Sequence, residues 1–90
     1  MKFMVTFPLT HRGYKERVTR FLETGAPPPD GVTMLGRWFT ASHNKGFMLA
    51  ETNDAKAILR WVSQWNDLID FQVEPVVTDE EAGPILKEMM

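Results

Sequence analysis

An α+β fold in the order β-α-β-β-α-β is what this ninety-residue sequence predicts, and three observations predict it. Period-two alternation of apolar residues marks four short stretches, Lys2–Phe7, Val32–Ala41, Gly46–Thr52 and Ile69–Val77. Helical spacing marks two longer ones, His11–Thr24 and the segment that follows Asp54. Breakers stand at the seams between them: Pro8, Gly25, the Pro-rich run "APPPDG" and the polar "SHNK".

Each element has its own local reason. Phe3, Val5 and Phe7 alternate with Lys2, Met4 and Thr6, which predicts a strand with one strongly apolar face. In the first helix Tyr14, Val18, Phe21 and Leu22 recur at helical spacing, with Arg12, Lys15, Arg17 and Glu23 expected elsewhere around the wheel. Gly25 supplies the stop, and "APPPDG" is a stiff connector ending in a turn at Asp30-Gly31. The second and third strands form a hairpin around "SHNK". Asp54 caps the next helix, because its side-chain oxygen can accept from the exposed amides of the first turn. There Ile58, Trp61, Val62 and Trp65 make one apolar stripe, read as core packing. Ile69, Phe71 and Val73 give the fourth strand its apolar face. The tail, residues 78–90, reads as a short helix with acids near its start, where the macrodipole favours them, weakened by Gly83 and Pro84. This is the split βαβ pattern of a ferredoxin-like domain, a four-stranded antiparallel sheet with both main helices on one face, and it spans residues 1–90 as a single domain.

Two helices leave the other sheet face bare. On the hairpin strands neither face is polar: Leu35, Arg37 and Phe39 alternate with Met34, Gly36 and Trp38, and Phe47 and Leu49 alternate with Met48 and Ala50. A strand apolar on both sides expects cover on both sides. A second copy is the economical cover, so a homodimer with facing sheets is expected. A ninety-residue chain buries only roughly 60–65% of its unfolded surface, and subunit contact adds to that.

Composition excludes several classes. Ten Lys and Arg against twelve Asp and Glu give a formal charge of −2, which argues against a nucleic-acid partner, and the basic cluster "HRGYKERVTR" reads as a solvated helix face. With no cysteine there is no disulfide, thiolate metal site or thiol nucleophile. No signal peptide and no membrane-spanning run is evident, so a soluble cytoplasmic protein without a membrane partner is the expectation. Neither His11 nor His43 has an Asp, Glu or His at ligand spacing, and no Gly-rich phosphate loop occurs, so no metal or cofactor is expected.

The candidate ligand-binding residues are Arg37, Trp38 and Glu51. With a three-residue hairpin loop Arg37 lies opposite Glu51 on one face, and Trp38 opposite Ala50; a two-residue loop would set Arg37 opposite Ala50. The first register is preferred because it pairs the only charges in these strand cores. That pair reads either as a cross-strand ion pair or as a guanidinium holding an anionic or carbonyl-bearing ligand, with Trp38 as an apolar wall.

"KFMVTF", "RFLETGAPPPDGVTMLGRW", "GFMLAET" and "WVSQWNDLIDFQVEPVVTDEEA" resemble a bacterial family of small domains of unknown function, placed among the ferredoxin-like dimeric α/β-barrel proteins. The resemblance covers nearly the whole chain and implies a homodimer whose two sheets form a barrel. Many members carry a His directly after Gly-Arg-Trp, where this chain has Phe39, so no role resting on that imidazole carries over. The wider superfamily includes cofactor-independent oxygenases and stress-response domains, but fold alone does not assign a reaction. Three readings follow: a dimeric module that binds or senses a small molecule, a cofactor-independent enzyme acting on a small aromatic or carbonyl compound in the same pocket, and a purely structural interaction domain.

Overall fold

The computed structural model describes all residues, Met1–Met90, and the chain runs β1 (Lys2–Pro8), α1 (Tyr14–Thr24), β2 (Thr33–Phe39), β3 (Lys45–Glu51), α2 (Ala55–Ser63), β4 (Gln72–Val76) and α3 (Asp79–Glu88). The strands form one antiparallel sheet in the order β2-β3-β1-β4, the ferredoxin-like arrangement. No helix is long and apolar enough to cross a membrane.

The alternation of β1 translates directly into burial. Phe3, Val5 and Phe7 point into the core while Lys2, Met4 and Thr6 stay half-exposed on the other face. Met48 and Ala50 of β3 join them, and α2 closes the layer with Ala57, Ile58, Trp61 and Val62. Asp54 caps α2 as its position suggests, its carboxylate accepting from the Lys56 amide at 3.0 Å. Trp65, the last residue of the expected stripe, lies two residues beyond α2, in the turn that follows it, and is still buried.

Elsewhere the boundaries shift. The first helix starts at Tyr14 rather than His11, because Gly13 takes a left-handed conformation at its N-cap. The fourth strand starts at Gln72, leaving Ile69 and Phe71 in the approach to it. The C-terminal helix forms despite Gly83 and Pro84, under a full capping box: Thr78 accepts from the Glu81 amide while the Glu81 carboxylate accepts from the Thr78 amide.

The hairpin departs furthest from expectation. Arg37 lies opposite Met48 and Trp38 opposite Phe47, a register that neither short loop produces. The connection, Thr40 to Asn44, is five residues long and closed from within. The His43 amide donates to the Thr40 carbonyl at 2.8 Å, the Asn44 amide to the Thr40 hydroxyl, and Ser42 and Thr40 hydroxyls to the Asn44 side chain at 3.0 Å. Those bonds, one between backbone groups and the rest through side chains of the loop itself, hold His43 at a φ of 55° and set the register. Leu35 is the extra residue of a bulge, so Met34 turns to the helix side with Arg37 and Phe39.

The helix α3 buries no residue, and Ile85, Leu86 and Met89 on it are 56%, 64% and 79% exposed. The chain is consequently elongated, 51 × 30 × 17 Å, with a radius of gyration of 15.1 Å. A compact domain of this length would have about 12 Å.

Candidate functional site

Gly36, Arg37 and Trp38 are successive residues of β2 and therefore alternate between faces. Arg37 points to the helix side. Trp38 lies on the open side, 54% exposed, folded back over Gly36, where a Cβ would meet the indole at 2.2 Å. The Gly-x-Trp spacing thus serves a close ring-on-backbone contact on one face. Glu51 is also on the open side, opposite Lys2 on β1 and paired with it at 3.2 Å. The expected pairing of Arg37 with Glu51 does not exist. The observed register differs from the preferred one by an odd number of residues, which puts the two side chains on opposite faces. Of the three sequence candidates, Arg37 alone lines the apolar cavity between sheet and helices.

That cavity, about 200 Å³, lies between the sheet and the helices. Its floor is Phe7 on β1 with Met48 on β3; α2 and the turn after it contribute Trp61, Val62 and Trp65; Ile69 and Phe71 close one side. The helix α1 contributes Tyr14, Val18 and Phe21, none of them fully buried, so this helix overlies a space rather than packing shut on the core. Thirteen of the sixteen lining residues are hydrophobic; the others are Arg17, Arg37 and His43.

Arg37 is fixed at the end of α1. Its Nη1 donates to the Ala26 carbonyl and its Nη2 to the Gly25 carbonyl, both at 3.0 Å, and the guanidinium carbon sits 4.9 Å from the centre of the Phe21 ring. Carbonyls at a helix C-terminus carry the negative end of the dipole and favour a cation there. Partial burial pushes the Arg37 pKa down from its ordinary value, though an arginine stays charged at neutral pH.

Arg17 is the residue that the sequence reading misplaced. Far from lying on a solvated face, it is 4% exposed, with Nη1 donating to the Arg12 carbonyl at 2.8 Å and Nη2 to the Thr10 carbonyl. It pins the loop before α1 beneath the helix. The signal was present: Arg17 sits three residues after Tyr14 and four before Phe21, at the edge of the apolar arc next to Phe21.

An aromatic chain borders the cavity. The Tyr14 ring meets His43 edge-on at 6.1 Å, His43 tilts on Phe39 at 5.5 Å, and Phe39 meets Phe21 edge-on at 6.0 Å. These distances are ordinary for aromatic pairs. His43 was read as a hairpin-tip residue, and its strained φ turns the imidazole towards α1. No three His, Asp or Glu side chains stand together in a metal-holding group.

No curated protein and no solved structure matches the chain. A family described as a domain of unknown function, DUF3303, matches over residues 1–90. The open hairpin face, the Arg37 anchor and the space beneath α1 are therefore features of a DUF3303 domain, the family to which this chain belongs.

Proposed function

We propose that this domain binds a small organic molecule in the cavity between α1, α2 and the sheet. The observation that carries the reading is a largely apolar space with a few convergent polar groups, the usual character of a small-molecule site. Arg37 supplies the fixed polar contact, while Trp38 and Glu51, on the far face, have no part in it. Native mass spectrometry of gently purified protein tests this. A retained small mass that is lost when Val18→Trp fills the cavity supports binding; a retained mass unaffected by the filling overturns this location.

The open face and α3 support a homodimer as the working form. Met4, Phe47, Leu49 and Trp38 share the uncovered side of the sheet. A helix of ten residues is marginal in water unless something packs against it, and its own body offers α3 nothing. A second copy laid against that face would cover both. Sedimentation velocity over a concentration series reads the outcome directly: a dimer supports the assembly, and a monomer throughout overturns it.

A further inference from the structure

We infer that the ligand of this cavity is a small organic anion, a ring-sized apolar body carrying one carboxylate, held at the free edge of Arg37. The inference rests on the binding reading above and adds the chemistry of what is bound.

Charge is the first argument. The whole chain is formally −2, yet the cavity wall holds two guanidinium groups and no Asp or Glu. The ion pairs in the molecule are Lys2–Glu51 and Arg20–Asp67, so neither Arg17 nor Arg37 has a carboxylate partner. Two cations at an apolar, partly enclosed surface make its potential positive, and low-dielectric walls strengthen that potential at short range. An anion is the occupant that lowers the energy of such a site.

The second argument separates the two arginines. Arg17 spends both terminal nitrogens on carbonyls of the Thr10–Arg12 loop and is buried, so it contributes field rather than contact. Arg37 has five N–H groups. Nη1 is occupied by the Ala26 carbonyl and, at 4.0 Å, by the Met48 sulfur; Nη2 makes one bond, to Gly25. Its Nε–H and one Nη2–H are left without a protein acceptor, the pair that takes a carboxylate in the bidentate manner. The two backbone carbonyls hold the fork in place without neutralising it.

Size and shape give the third argument. A dry cavity of roughly 150 Å³ holds one benzene ring. About 200 Å³, open on one side, has room for a ring and a carboxylate. Along the border Tyr14 meets His43 and Phe39 meets Phe21 edge to face, with His43 tilted on Phe39, and a further planar ring can pack on such a border in the same ways.

The test titrates the protein with benzoate and, separately, with benzamide, its neutral counterpart of nearly equal shape. Trp38→Phe serves as the background, so that emission comes from Trp61 and Trp65 in the cavity wall. Benzoate is expected to bind at least tenfold more tightly than benzamide, and Arg37→Gln to abolish that preference while circular dichroism stays unchanged. Arg37→Lys, which keeps the charge and loses the fork, is expected to retain only part of the preference. Equal affinity for the two probes would overturn the anion assignment and leave the binding site standing. A benzoate preference that survives in Arg37→Gln would overturn the role of Arg37. Absence of any response to either probe at millimolar concentration would overturn this inference, while the retained mass in the native spectrum decides the binding reading separately.

Discussion

On the helix-covered face of the sheet Phe3, Val5, Phe7, Met48 and Ala50 are at most 7% exposed, each held by residues from other elements. On the opposite face of the same strands Met4, Phe47 and Leu49 are half-buried only by their neighbours, and Trp38 stands 54% exposed. Backbone, register and hydrogen bonds are shared. The difference therefore isolates what a second layer does. Where α2 packs down, side chains are confined and their volumes matter; where nothing packs, a large ring settles on the nearest gap and can leave it.

The two faces are sharply distinguished by removing one ring from each. Trp61→Ala on α2 is expected to cost about 3–5 kcal/mol of unfolding free energy, because the ring is fully enclosed and its loss leaves a cavity. Such a loss approaches the whole stability of a small domain, so the variant's denaturation midpoint, or its failure to fold, is the readout.

Two glycines give a finer contrast. A Cβ at Gly46 would stand 2.3 Å from the Phe7 ring, which is 5% exposed and packed on Phe71, so relief would push a core ring into the cavity it floors. Gly46→Ala should cost roughly 1–3 kcal/mol, the range for overpacking a core. At Gly36 the clash with Trp38 is as close, but that indole faces outward and can swing away. Gly36→Ala should stay within about 0.5–1 kcal/mol in urea unfolding, near the surface norm. Equal losses at the two positions would break the comparison and show that the open face is as confined as the covered one.

Trp38→Ala sharpens it in another way. Unfolding free energy at low protein concentration should change by no more than about 0.5 kcal/mol. If the proposed dimer forms through this face, self-association read by sedimentation should weaken, since the largest exposed ring of the open face is gone. A variant that associates as well as the parent would remove that ring from the interface.

The smallest effect comes from pH. Arg20 holds the Asp67 carboxylate through two 2.8 Å bonds, and this lowers the Asp67 pKa from its ordinary value; Thr78, through its amide and hydroxyl, lowers that of Glu81. A depressed carboxylate stabilises the folded state above its unfolded pKa, and the gain is lost as pH falls through the folded value. Both contributions should be intact at neutral pH and fade below the usual carboxylate range. NMR titration of the two side chains checks this. Asp67→Asn should remove the first part of the acid dependence, and Glu81→Gln the second along with some α3 helicity.

Much of the fold was legible because its signals are local. Alternation over β1, the stripe of α2 and the Asp54 cap each depend on residues within a few positions of one another, and backbone geometry turns such spacing directly into a face. The candidate site was less legible. Arg37 was identified, but its partners are carbonyls at Gly25 and Ala26, which carry no side-chain signature. Arg17 was assigned to the solvated side of the wheel with the other basic residues, although it borders Phe21 at the edge of the apolar arc and is buried.

What the amino-acid sequence by itself determined, then, is the order of elements, the apolar face of β1 and the packed side of α2, together with the absence of cysteine chemistry. Tertiary structure alone decided three other things: which residues face each other across the hairpin, which arginine goes inside, and that a cavity exists at all. The hairpin register follows from bonds closed inside the Thr40–Asn44 loop and from one bulged residue, and a single-residue slip exchanges the two faces. The cavity brings Phe7 within 5.5 Å of Phe71 across most of the chain, a proximity that no periodicity encodes because it exists only once the sheet has closed.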